Sequence, residues 1–218
     1  MRFYMSVLSV YSALATVLLV ILAQQNVRLK TRPATSAIDW QRVHAVEPGN
    51  APRLGQPDAP VRVTLFADFQ CAACRLGYRT LTDLERQYRG LINLTFKNLA
   101  LPQHPSAVPA AKAALAAGVQ GKFWEMADLL FAQQDELGEA FFKEAANRLG
   151  LDAEAFGEDL HLAIWADQLA EDREQAKRLG LTATPVFFVN GIMIPGFDEA
   201  TLRNAIARFM PVVEASAL

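Results

Sequence analysis

Three patterns of apolar and polar positions follow one another along the chain. Residues 3–23 carry no charge, and their polar members are hydroxyl residues such as Tyr4, Ser6, Ser9 and Thr16. Residues 24–60 are interrupted by Pro33, Pro48, Pro52, Pro57 and Pro60, with Gly49 and Gly55 among them, a density that opposes regular structure. From Val61 onward short apolar runs alternate with amphipathic stretches. VRVTLFA, starting at Val61, predicts a buried strand. Residues 71–88 predict a helix, with Cys74, Tyr78, Leu81, Leu84 and Tyr88 at helical spacing and Gly90 at its end. LINLTF, residues 91–96, predicts a second strand.

A helical block comes next. Residues 107–117 are rich in Ala with Gly118 as the expected stop. Residues 122–133 follow, then 139–149 closed by Gly150 and 158–179 closed by Gly180. Trp124, Trp165, Phe141 and Phe142 are expected to pack this block, since large aromatics dominate cores. VFFV from Val186, the dipeptide Asn190-Gly191 and Ile192-Met193-Ile194 predict a hairpin, because a type I′ turn needs two residues at positive φ. Asp198 is placed to cap a last helix whose buried face is Leu202, Ala205, Ile206 and Phe209. The order β-α-β, helical block, β-β-α is an α/β architecture without an internal repeat.

The N-terminal run is long enough for a membrane helix, which needs roughly 20 residues. A secretory signal core is about 7–15 residues and ends in a small-x-small site. Ile21-Leu22-Ala23 puts a bulky residue where a small one is preferred, so an uncleaved anchor is expected, with a cleaved signal as the alternative. Orientation pulls two ways. Arg28, Lys30, Arg32 and Arg42 outnumber Arg2 and the terminal amine, which by the positive-inside rule favours a cytoplasmic domain. A short N-terminal tail before a long domain favours export, as does redox chemistry suited to an oxidising compartment. The expected organisation is an anchor or signal at 1–23, a Pro-rich linker at 24–58 and a domain at 59–211. The expected location is the inner membrane, with the domain facing the periplasm or exterior. If cleaved, it would be secreted to the periplasm.

Charge narrows the function. The 218 residues carry a formal net charge of -2, but four of the 21 basic residues and no acid precede residue 33. The rest is therefore acidic, and a nucleic-acid partner, which requires a basic face, is excluded. Two cysteines three positions apart, with His44, His104 and His161 scattered, fall short of the four ligands of structural zinc. No metal and no cofactor are expected.

Cys71 and Cys74 form a Cys-X-X-Cys that follows a predicted strand and opens a helix, the sequence mark of a thioredoxin-like redox site. At a helix N-terminus, free N–H groups and the macrodipole favour the thiolate, which is the reactive species. Cys71 is thus the expected nucleophile. Cys74, one turn deeper, is the expected resolving thiol. Thr184-Pro185 precedes the VFFV strand, a position where Pro is allowed. Its residues alone leave the isomer open.

The motifs together resemble the DsbA family of bacterial thiol–disulfide oxidoreductases over about residues 55–209. The carriers are Ala59-Pro60-Val61 leading to Phe66-Ala67-Asp68-Phe69-Gln70-Cys71-Ala72-Ala73-Cys74, then Asn98-Leu99-Ala100-Leu101 with His104-Pro105, Gly121-Lys122-Phe123-Trp124, and Thr182-Ala183-Thr184-Pro185-Val186-Phe187. The resemblance implies a thioredoxin fold with a helical insertion at about 105–180. It implies that Pro185 is cis and lies against Cys71, and that the Thr184 backbone pairs with an extended substrate. It implies thiol-containing exported proteins as substrates and a quinone-linked membrane oxidase as a recharging partner. Two departures stand out. Ala72-Ala73 offers no polar neighbour to the thiolate, so a milder oxidant is expected. Leu65 stands where many members carry a buried acid, and Asp68 is the nearest acidic replacement. Three functions remain in play: a disulfide-introducing oxidase, a reductase or isomerase, and a Cu(I)-binding thiol module. No Met-rich or His-rich segment supports the last.

Overall fold

The computed structural model describes residues 38–211. The apolar run at 3–23, and with it the choice between anchor and signal, lies outside the described residues. Among the described residues no helix is long and apolar enough to cross a membrane.

Val61–Ala67 (β2) is the centre of a five-stranded sheet whose other strands are Arg53–Leu54 (β1), Ile92–Asn98 (β3), Val186–Val189 (β4) and Ile192–Pro195 (β5), in the order β1-β3-β2-β4-β5. Val61, Val63, Leu65 and Ala67 are buried on one face; on the other Phe66 is buried, Thr64 partly buried and Arg62 exposed. Helix α1 (Ala72–Gln87) carries the chain across to β3 (Ile92–Asn98), which pairs parallel with β2. β4 (Val186–Val189) pairs antiparallel with β2, and β5 (Ile192–Pro195) with β4. The hairpin between them has Asn190 at φ 46 and Gly191 at φ 84, the type I′ conformation that Asn-Gly predicts. Helix α7 (Glu199–Ala207) closes the domain, and the Asp198 carboxylate accepts the Thr201 N–H at 2.9 Å. This is the thioredoxin fold.

The two faces of the sheet bury different partners. Val61, Val63, Leu65, Ile92, Leu94 and Phe96 lie in one core with Tyr78, Leu81 and Leu84 of α1 and Leu202 and Ile206 of α7. Phe66, Val186 and Phe188 lie on the other face with Leu99 and Ala176. Ala176 belongs to α6 (Ile164–Arg178), the last helix of the insertion. The other insertion helices are α2 (Ala107–Val119), α3 (Phe123–Ala132), α4 (Glu139–Arg148) and α5 (Ala153–Asp159).

The helical block departs from expectation twice. Gly118 does not end α2. The helix runs through it, and Gly121, at φ 74, makes the turn, with the Lys122 N–H bonded to the Ala117 carbonyl at 2.9 Å. A Cβ at Gly118 would lie 3.4 Å from Phe123 Cβ, an ordinary packing contact, so the helix continues through this position without strain. The single helix expected at 158–179 is two. Asp152 caps α5 through the N–H groups of Glu154 and Ala155, and the Trp165 indole N–H bonds back to the Asp159 carbonyl across the break. Apolar periodicity carries through that break and hides it.

Residues 38–58, read as part of a linker, pack on the sheet. β1 (Arg53–Leu54) pairs antiparallel with β3, and Val43 bridges to Ile192. Gly55, at φ 91, permits the turn after β1, where a Cβ would lie 2.1 Å from the Ile92 carbonyl oxygen. The Trp124 indole N–H donates to the Arg53 carbonyl at 3.1 Å and ties β1 to the insertion.

Candidate active site

Cys71 is the N-cap of α1, at φ -81 and ψ 120, and its carbonyl accepts the first helical hydrogen bond, from the Arg75 N–H at 3.2 Å. It is half-buried. Cys74 is fully buried in the core beneath it, and both thiols are free. The pair is strongly polarised. Cys71 is lowered from 9.0 to about 5, first because the Cys74 thiol donates to its sulfur. The backbone N–H groups of Cys74 and Ala73 and the Thr184 hydroxyl add to this against the opposing effect of burial. Burial pushes the Cys74 thiol far up, so it keeps its proton.

Thr184-Pro185 is cis. The Cys71 sulfur lies 3.7 Å from the Thr184 carbonyl oxygen, so the two predicted site elements meet although 113 positions separate them. The Thr184 side-chain oxygen is buried and makes no hydrogen bond of strict geometry, yet it is near enough to both sulfurs to favour their thiolates. The Pro185 carbonyl accepts the Gly196 N–H at 2.9 Å, which fastens the loop to the residue after β5.

A second tier of residues holds the loop ahead of Cys71. Leu65 is buried in the apolar core, so no acid stands there. Asp68 is buried too, but its carboxylate faces the loop at 101–104. It accepts the N–H groups of Gln70 at 2.7 Å and Leu101 at 2.8 Å and contacts His104 Nδ1 at 2.8 Å. The Asp68 backbone N–H instead serves the dithiol, donating to the Cys74 sulfur at 3.4 Å. Gln70 accepts the Ser106 N–H at 2.8 Å, and Gln134 donates to the carbonyls of Phe69 and Cys71. Sequence reasoning gave no role to Gln70, His104 or Gln134. Their partners are 36 to 65 positions away, beyond any local pattern.

On the opposite face of the sheet Lys97 and Asp172 form a buried ion pair at 3.0 Å. Asp172 also accepts the Asn98 N–H at 2.9 Å. Burial raises the Asp172 carboxyl, opposed by the Lys97 ammonium. The pair pins α6 to β3. Among the described residues no cluster of His, Cys, Asp and Glu is arranged to hold a metal ion.

A thioredoxin fold with a helical insertion, a dithiol at its first crossover helix and a cis-proline against the outer sulfur defines a class, the DsbA-like thiol–disulfide oxidoreductases. The chain belongs to the thioredoxin family, whose model it matches over residues 47–208. A thioredoxin-like oxidoreductase from Silicibacter pomeroyi superposes with a TM-score of 0.64 at 29% identity, over 73% of this chain and 92% of that one. BdbD from Bacillus subtilis, at 23% identity, shares the fold with a TM-score of 0.66, over 76% of this chain and 96% of that one. Among curated relatives, a Na(+)/H(+) antiporter, NhaA 3, of Salinispora tropica is 40% identical over 147 residues, 67% of this chain and 22% of the antiporter. An antiporter of Mycolicibacterium vanbaalenii, NhaA 1, is 34% identical over 165 residues, 74% of this chain and 27% of that protein. The chain thus spans less than a third of the length of these relatives.

Proposed function

We propose that the protein introduces disulfides into exported proteins through Cys71 and Cys74. The observation that carries this reading is the polarised pair: a half-exposed sulfur held as thiolate above pH of about 5, backed by a buried thiol that keeps its proton. In the oxidised enzyme a substrate thiolate attacks the Cys71 sulfur. The Cys71–Cys74 bond breaks, and Cys74 leaves and takes up a proton. A second substrate thiolate then attacks the substrate sulfur of the mixed disulfide and expels Cys71 as its stable thiolate. The substrate loses two electrons and the enzyme gains them as a dithiol. A low Cys71 pKa favours this direction, because the better leaving group stabilises the reduced enzyme. A value of about 5 lies between those of thioredoxin, about 7, and of the strongest oxidants, about 3.5, in keeping with a milder oxidant.

Thr184 and Pro185 form the substrate rim in this reading. When Cys71 is a thiolate or in a disulfide it has no proton to donate, and the Thr184 carbonyl beside it is left free to accept an N–H from an extended substrate. The apolar run at 3–23 suits an inner-membrane anchor, the redox chemistry suits a domain outside the cytoplasm, and a quinone-linked membrane oxidase is the partner that would take the two electrons. A second reading draws on the antiporter relatives: the domain is a thiol-redox module that works beside a membrane ion transporter.

The redox state of the pair in living cells tests the direction. Acid quenching and a bulky alkylating reagent read it as a gel shift. A mostly oxidised pair is the expected result. A mostly reduced pair would replace the oxidase reading by a reductase or isomerase.

A further inference from the structure

Gln134 stands just beyond α3, in a short 3-10 turn at Gln134–Glu136. Its side-chain nitrogen lies 2.7 Å from the Phe69 carbonyl oxygen and 3.0 Å from that of Cys71. Both neighbours are acceptors, so only the NH2 end, with its two hydrogens, satisfies them, and the amide orientation is settled by chemistry. Three residues earlier on α3, the Phe131 ring packs 4.8 Å from the Phe69 ring. The end of α3 therefore grips the loop before the nucleophile by an aromatic contact and by a two-pronged amide.

We propose that Gln134 is a positioning residue for Cys71, clamping the carbonyls of Phe69 and Cys71 so that the sulfur stays at the N-terminus of α1 against Thr184. The inference rests on Cys71 as the nucleophile. The Cys71 carbonyl also accepts the Arg75 N–H, so this residue is held from the helix side and from the insertion side at once. Carbonyl oxygens carry partial negative charge. The two N–H groups of Gln134 offset that charge on the Phe69 and Cys71 oxygens, and removing them takes this donor from the loop that carries the sulfur. The insertion in this way tunes a reaction that it does not touch.

The test is the pH dependence of iodoacetamide alkylation of the reduced protein, with Tm measured alongside, for the parent, Gln134→Glu and Gln134→Ala. A carboxylate at 134 keeps the shape but accepts only, and it faces two carbonyl oxygens. The midpoint is expected to rise in both variants, more in Gln134→Glu, by about one pH unit. Below both midpoints alkylation slows about threefold, because tenfold less thiolate is partly offset by higher intrinsic nucleophilicity. An unchanged midpoint in both variants, even with a lower Tm, overturns the proposal by reducing Gln134 to a structural contact. If Gln134→Glu does not fold, Gln134→Ala decides by the same criterion. Alkylation needs no protein substrate, so the positioning role and the disulfide-exchange reading fail separately.

Discussion

The Cys71 sulfur and the Thr184 carbonyl oxygen lie 3.7 Å apart, which joins the start of α1 to the loop before β4 in one reactive surface. In the thiol form the S–H donates to that carbonyl. Ionisation removes the donor and frees the carbonyl, so one proton governs both the nucleophile and the rim beside it.

The first consequence is a thiol whose reactivity begins far below that of free cysteine. Alkylation of the reduced protein is expected to rise with a midpoint near pH 5 and to modify Cys71 alone, because Cys74 is buried and protonated. Mass spectrometry of peptides after alkylation at pH 4 to 8 checks both statements.

Stability should follow the same proton. The folded Cys71 pKa lies below the unfolded value of 9.0, so its ionisation stabilises the reduced fold above about pH 5 and the contribution is lost as pH falls through that value. Cys74 stays protonated when folded and adds nothing in this range. Oxidation removes the ionisable group. The Tm of the reduced form minus that of the oxidised form is therefore expected to grow from pH 5 to pH 8, as measured by paired calorimetric scans.

The Lys97–Asp172 pair gives a prediction on the other face of the sheet. Asp172→Ala leaves a buried ammonium without its partner and unties the Asn98 N–H, at a cost of about 3–5 kcal/mol in denaturant unfolding. The double variant Lys97→Met with Asp172→Leu removes both charges and should recover most of that loss. Recovery to no more than the single-variant level would mean that the pair matters for something other than an uncompensated charge.

Gly77 sets how closely α1 approaches β4. A Cβ at this position would lie 2.5 Å from Phe187 Cζ, and Phe187 is fully buried with nowhere to turn. Gly77→Ala is expected to lower stability by about 1–3 kcal/mol and to slow alkylation of Cys71 by displacing the helix that carries it. Unfolding curves and alkylation rates measured on the same preparation distinguish the two effects.

Much of this was legible in the residues. The strand before Cys71, the helix after it and the Asn190-Gly191 hairpin are local signals, and each is where the pattern puts it. The pairing of Cys71 with Thr184 is not local. It followed from resemblance, because no spacing rule connects positions 113 apart. Gln134, Lys97 and Asp172 were silent for the same reason. Each is a common polar residue within a helical turn or strand, and its meaning lies in a partner on another element. The break at 160–163 escaped notice because Leu160 and Trp165 keep an apolar rhythm across it. The bonds from the Leu162 N–H and the Trp165 indole N–H back to the Asp159 carbonyl mark the turn. β1 was hidden by its proline-rich surroundings, which end a strand after two residues without preventing it.

The most direct test of the central claim is trapping. Purified Cys74→Ser and Cys71→Ser proteins are each incubated with a reduced, unfolded protein bearing two cysteines under mild oxidant, quenched with acid and run without reductant. The account predicts that Cys74→Ser accumulates a dithiothreitol-sensitive adduct through Cys71, while Cys71→Ser, whose remaining thiol is buried and protonated, forms none. No adduct with Cys74→Ser, or equal adducts with both variants, would contradict it.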